Sequence, residues 1–227
     1  KFGFLEIASH PEYRRLSPSS RVGSAGATTI SPDHRWIAAL VQGEVRFWDQ
    51  DTGRELGFLP ERECSTVLLD PDGRSLITSG SGGLARWPIT PGTETGADRI
   101  RVGPRQPVHP AGNTALWFAS MSADGNKIAM ADATTNAARV VDLAHPDQVL
   151  NLGAHPGLRY IAISPEGKWV ATGTWQGSGV KIWEVQSGKA VHEFPEPSHA
   201  DVLFSPDGRW LATAGEEGGP DIGIQLV

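Results

Sequence analysis

Arg159-Tyr160-Ile161-Ala162-Ile163, then Ser164-Pro165-Glu166-Gly167, then Trp169-Val170-Ala171-Thr172: an apolar run, a turn phrase and a second apolar run. The turn phrase returns four more times, as Ser31-Pro32-Asp33-His34, Asp70-Pro71-Asp72-Gly73, Ser122-Ala123-Asp124-Gly125 and Ser205-Pro206-Asp207-Gly208. Its five starts are 39, 52, 42 and 41 residues apart. A period of about forty residues marks one supersecondary unit repeated in space and argues against most single-core enzyme folds. Each position of the phrase has a physical job. Ser or Asp bonds nearby backbone, expected two residues on, and Pro presets φ. Asp tolerates the bridge region, and Gly accepts the positive φ that lets the chain leave as a tight hairpin. His34 replaces Gly in the first copy, at a cost in strain.

The fourth period gives the unit in full. Strand a is expected at Tyr160–Ile163 and strand b at Trp169–Gly173. A loop at Thr174–Gly179 leads to strand c at Val180–Trp183 and strand d at Ala190–Phe194. The first period repeats its second half, with Phe47-Trp48-Asp49 followed by Thr52-Gly53-Arg54 where the fourth has Ile182-Trp183-Glu184 and Ser187-Gly188-Lys189. The second period keeps Trp87, and the third has Val141 in that slot. Glycine (27) and proline (17) punctuate short β-type runs, and no stretch sustains a helical period, so the chain reads as all-β. Small residues recur on strand b (Ala38, Ala129, Ala171, Ala212), and Trp36, Trp169 and Trp210 share another slot that reads as packing between units.

Four strands, a Ser-Pro-Asp-Gly turn and a Trp-Asp or Trp-Glu pair closing strand c resemble the WD-repeat β-propeller family. The resemblance covers nearly the whole chain and implies a propeller of four-stranded antiparallel blades, about five blade equivalents. These either close on themselves or form an arc of a larger ring. Residues 1–17 align with the end of the first repeat and are expected to end a preceding blade, with repeats at about 27–59, 65–105, 115–151, 158–195 and 200–227. Leu5 and Val227 fall in the Trp slot. Either Tyr13–Leu16 completes the blade that ends at Val227, or the ring is larger. Carried over from the family, Trp48, Trp87, Trp183 and Asp221 are structural. The rest of its stabilising network (a His before strand a, a Ser or Thr on strand b, an Asp in the b–c turn) is expected to be mostly missing. Gly153-Ala154-His155 and Ser198-His199 are near-matches for the His element, and Gln42, Ser81, Thr135 and Gly177 occupy the Asp slot. More narrowly, Ser79–Ile89, Arg101–Pro104 and Gly173–Trp183 resemble propellers attached to bacterial Hanks-type serine/threonine kinases, implying an accessory or sensing region of a signalling protein.

Composition bounds the function. Hydrophobic content of 39% and charged content of 20% describe a globular chain. No apolar stretch approaches the roughly 18 residues of a membrane helix. Net charge of −6 argues against a nucleic-acid binder, which needs a basic stripe. The lone Cys64 permits no internal disulfide and fits a reducing, cytoplasmic setting. Residue 1 is Lys, so the chain reads as a segment of a longer protein. Gly80-Ser81-Gly82-Gly83-Leu84-Ala85 mimics a dinucleotide fingerprint but joins two strands, not a strand to a helix. No phosphate-binding loop, kinase catalytic loop or nucleophile elbow is present. Seven His show no metal-pair spacing. No catalytic residue, cofactor or metal is therefore expected, and the chain reads as a non-catalytic scaffold for protein partners. A metal-dependent hydrolase or lactonase-like propeller and a periplasmic translocation-assembly propeller are the alternatives. The b–c and d–a loops share one rim, where a rigid scaffold concentrates binding residues. Trp175 and Gln176, in a b–c loop, and Arg101, Arg105 and His109, in the insertion around Pro91–Gly112, are the candidate partner-binding residues. Their alternative readings are packing against the next blade and a longer solvated connection.

Overall fold

The computed structural model describes residues 25–59, 64–91, 100–110, 116–132, 134–177, 179–195, 198–214 and 223–225. Asp221, Val227 and the N-terminal residues 1–17 lie outside them. The described residues form five antiparallel sheets and no helix. The first holds β1 (Ala25–Ile30), β2 (Trp36–Val41), β3 (Glu44–Asp49) and β4 (Glu55–Phe58). The second holds β5 (Cys64–Leu69), β6 (Ser75–Gly80), β7 (Leu84–Pro91), β8 (Ile100–Val102) and β9 (Gln106–His109). β10 (Leu116–Met121), β11 (Lys127–Asp132), β12 (Ala137–Asp142) and β13 (Val149–Ala154) form the third. β14 (Leu158–Ile163), β15 (Trp169–Gly177), β16 (Val180–Glu184), β17 (Ala190–Phe194) and β18 (Ser198–His199) form the fourth. The fifth has β19 (Asp201–Phe204), β20 (Trp210–Ala214) and β21 (Gly223–Gln225).

The main path of each sheet is an up-and-down meander, with β9 added on β7 and β18 on β15, and its first strand packs against the first strand of the next: β1 on β5, β5 on β10, β10 on β14, β14 on β19. This is a β-propeller with first strands innermost and successive sheets as blades. Between blades lie the cores. Trp36, Ala38 and Phe47 meet Val67, Leu76 and Trp87. Ile77 and Leu84 meet Ile128, Met130 and Val141. Ala129 and Val140 meet Ile161, Val170 and Trp183, and Ala162, Ala171 and Ile182 meet Val202, Phe204 and Leu211. Ala38, Ala129 and Ala171 are fully buried, as the recurring small slot requires for close approach of two sheets. Ala212 is exposed instead. It shares a face of the fifth sheet with Leu203 and Trp210, while Phe204 and Leu211 point to the fourth. Hence Trp36 is 5% exposed and Trp210, in the same slot, 46%.

The turn phrase works differently from expectation. Ser31 Oγ accepts from the backbone N–H groups of Arg35 and Trp36, four and five residues on, at 3.0 Å each. Ser164 and Ser205 repeat the bond to Trp169 and Trp210. Where the third position is Asp, that acid makes the two-residue bond, as when Asp124 Oδ1 accepts from Asn126 N at 3.0 Å. Ser122 Oγ donates to that same Oδ1 at 2.6 Å, and this bond holds the Asp124 carboxyl down at about 2. In the second turn Asp70 replaces Ser, and burial, with Asp72 nearby, raises its pKa. The fourth-position glycines sit at φ 70–73°. A Cβ on Gly125 would also meet Asp70 Oδ1 at 2.8 Å and Pro71 Cδ at 2.9 Å, so turns of neighbouring blades stack. His34 takes φ 56° in the same place.

Two further expectations are corrected. The insertion around Pro91–Gly112 is more than a solvated connection, since β8 and β9 both pair with β7, and the second repeat runs to His109 beyond the expected 105. The b–c segment of the fourth blade is strand through Gly177, not loop from Thr174, because β18 pairs with its end. One substitution tests the turn. His34→Gly removes a left-handed non-glycine that costs about 1–2 kcal/mol, offset in part by glycine's chain entropy. Denaturant unfolding is expected to show a gain of about 0.5–1 kcal/mol.

Candidate functional site

Trp175 is held by backbone on both sides. Its N–H donates to Gly157 O at 2.8 Å, and it pairs with His199 across β18. The link into the fifth blade crosses directly over β15: Ala200 N donates to Thr174 O at 2.9 Å, and a Cβ on Gly173 would fall 1.9 Å from Ala200 O. Only glycine admits that approach. Gln176 forms a bulge in this pairing at φ 57°, a left-handed conformation that a non-glycine residue holds only under constraint.

Trp175 is 43% exposed, and its ring packs on two neighbours that the sequence did not nominate for binding, Arg159 and His199. Arg159 Cζ lies 5.0 Å from its ring centroid and 5.5 Å from that of Trp117, itself 40% exposed. The His199 ring meets Trp175 edge-on at 4.9 Å and Tyr160 edge-on at 5.0 Å, and Tyr160 lies 5.7 Å from Phe118. Burial holds the Tyr160 phenol above its ordinary value, with Arg159 opposing and Asp201 reinforcing. Trp117 and Arg159 open the inner strands β10 and β14, and Thr66 of the second blade donates to Trp117 O at 2.9 Å. The cluster therefore spans the third and fourth blades at the end where inner strands begin.

The other candidates divide. His109 pairs with Leu84 at the same end of its blade as the b–c turn, and Arg105 Nη2 donates to Gly82 O at 2.8 Å in that turn. Burial lowers the His109 pKa, with Arg139 adding and Asp147 opposing. Arg101 pairs with Thr90, six residues along β7 from Leu84 and thus about 20 Å away toward the opposite end. The structure does not bring Arg101 to the rim with Trp175.

Beneath the rim, the fourth blade assembles more of the buried polar network than expected. His155 Nδ1 lies 2.8 Å from Thr172 Oγ1, and Trp183 Nε1 donates to that same hydroxyl at 2.8 Å. The fourth member is missing for a steric reason: a Cβ at Gly177 would fall 2.6 Å from Pro156 O and from Thr174 Cβ. His155 Nε2, where a carboxylate would sit, is buried without a partner. The second blade keeps the pair Trp87 Nε1 to Thr78 Oγ1 at 3.0 Å. Trp48 is buried, with its Nε1 unpartnered. In the third blade the buried Asp132 pairs with Arg139 at 2.8 Å and accepts from Thr134 N and Thr135 N, anchoring the b–c turn. Sequence reading placed the acid slot at Thr135 and missed it.

A cleft of about 500 Å³ between the first and second blades is lined by Phe47, Phe58, Trp87, Ile100, Val102 and neighbours, with no ionisable side chain among the described residues.

The WD domain, G-beta repeat model matches residues 146–184 and 188–219, a stretch that runs from the last strand of the third blade into the fifth and includes Arg159, Trp175 and the His155–Thr172–Trp183 network. No curated protein sequence matches the chain. A propeller built of WD40 repeats is in general a non-enzymatic platform for protein–protein interaction.

Desolvation, with Lys181 adding and Glu193 opposing, pushes the pKa of buried His155 down to about 4 from 6.5. A histidine whose folded value is depressed contributes stability that is fully present above 6.5 and lost as pH falls toward 4, because the unfolded chain binds the proton first. Unfolding midpoints measured from pH 7.5 to 4.5 are expected to fall. The slope should shrink in His155→Asn, without vanishing, since His109 is shifted in the same direction.

Proposed function

We propose that this propeller is the protein-interaction region of a signalling protein, and that the rim carrying Trp175 is its contact surface. One observation carries the reading. Two half-exposed indoles, Trp117 and Trp175, are fixed on rigid strands from adjacent blades with Arg159 between them. Exposed Trp and Arg, preorganised at little entropic cost, are the residue types that dominate binding energy at interfaces. Gln176 extends the surface, and Arg105 and His109 form a second patch on the rim of the second blade.

The finer reading is an accessory or sensing region of a bacterial protein that carries a serine/threonine kinase elsewhere. Its support is the resemblance of Ser79–Ile89, Arg101–Pro104 and Gly173–Trp183 to propellers of that kind. A cytoplasmic setting fits the single, buried Cys64. The partner is a protein: the net charge of −6 offers no basic stripe for nucleic acid.

The test is a comparative pull-down. Wild type, Trp117→Ala, Trp175→Ala and a control at the opposite end of the blade, Gln186→Ala, are compared for retained proteins. Partners held by wild type and by Gln186→Ala are expected to weaken at least tenfold with either Trp variant. Identical partner sets from all four folded proteins would contradict the assignment.

A further inference from the structure

Charge accounting singles out Arg159. Three other partly buried cations of the described residues have acids within 3.2 Å. Arg46 contacts Glu44 at 3.2 Å and Glu55 at 2.7 Å, Arg139 contacts Asp132 at 2.8 Å, and Lys181 contacts Glu193 at 3.2 Å. Arg159 has no such carboxylate among the described residues, and its Nε is buried without a hydrogen-bond partner. The second unpartnered buried nitrogen of the cluster is His199 Nδ1, in the ring that backs Trp175.

The surroundings say what is missing. Indoles occupy two sides of the guanidinium at 5.0 and 5.5 Å. Stacked aromatics leave the in-plane N–H fork of an arginine for recognition, and that fork matches a carboxylate, which it binds through two parallel hydrogen bonds. Partial desolvation between the rings strengthens such a pair. A doubly charged phosphate suits the site less well, because phosphate recognition draws on arginine clusters. Here the described residues bring a single guanidinium to the cluster, with the charge of Asp201 felt at the adjoining Tyr160.

We propose that Trp117, Arg159 and Trp175 form a clamp for an Asp or Glu side chain of a partner peptide, with the indoles covering the apolar residue next to it. This inference rests on the rim being the contact surface and adds the chemistry of the partner. The single charge-assisted fork sets selectivity for acid over amide, and the exposed indole faces supply the apolar contact.

The probe is an array of acetylated, amidated dodecapeptides, each with one Glu or Asp beside Leu or Phe in a Ser/Ala background. Every peptide is matched by its Gln or Asn counterpart and by a phosphoserine counterpart. Binding to the 227-residue chain is measured up to about 1 mM peptide. The expected result is at least tenfold preference for acid over amide in wild type. That preference should be abolished in Arg159→Gln and largely lost in Arg159→Lys, which keeps the charge but not the fork. Affinity for the acid peptides should fall in Trp175→Ala. Circular dichroism confirms folding of each variant, and Arg159→Lys carries the test if Arg159→Gln unfolds. Binding that depends on Trp175 but treats acid and amide alike would overturn the clamp and leave the rim reading standing. Stronger binding of phosphoserine peptides would also overturn the clamp. No Trp175-dependent binding of any peptide would overturn both.

Discussion

Burial of one sheet's face by the next is the constraint on which this structure depends. A four-stranded meander of about thirty residues cannot exclude water from both its faces alone. Here the central strands gain that exclusion from neighbours, through Ala38 under Val67 and Leu76, Ala129 under Ile161 and Val170, and Ala171 under Phe204 and Leu211. The small residue admits the close approach, and the larger residues of the next blade fill the space. Stability is then approximately a sum of blade and nearest-neighbour terms, as in other repeat proteins. The fifth sheet shows the rule by its contrast, with one face buried and Trp210 on the other in contact with water.

That architecture positions the rim. The a–b turns stack at one end through glycine and proline, and bonds from Ser, Asp or both close each turn. With that end fixed, the inner strands begin in register at the other. Trp117 and Arg159 then fall side by side on adjacent blades, and the extension of β15 brings Trp175 over them. The cluster is rigid because three blades and the link to a fourth each hold part of it.

The fold was legible because its determinants are local and repeated. A turn phrase specifies hairpin geometry by itself, and alternation fixes which side chains face the next blade. The site was only half legible. Trp175 stood outside the repeated slots and so drew attention, but nothing adjacent in sequence pointed to Trp117 or Arg159. Their meeting is set by the rotation between blades, which no single repeat encodes. Arg101 and Arg105 are close in sequence, yet the two short strands β8 and β9 carry them to different ends of β7. The polar network was underread for a related reason. His155 precedes strand a and is separated from Thr172 and Trp183 in sequence, so a spacer residue in Gly153-Ala154-His155 looked disqualifying although the imidazole reaches its partner.

Coupling between blades is the claim that most needs a direct measurement. Phe204 belongs to the fifth sheet and packs on the same cluster as Ala162 and Ala171 of the fourth. Native-state hydrogen exchange on Phe204→Ala, compared with wild type, reports how far the loss of that contact travels. Lowered protection in β14 and β15 as well as in β19 and β20 is the result this account predicts. Loss confined to the fifth sheet, with the fourth as protected as before, would contradict it.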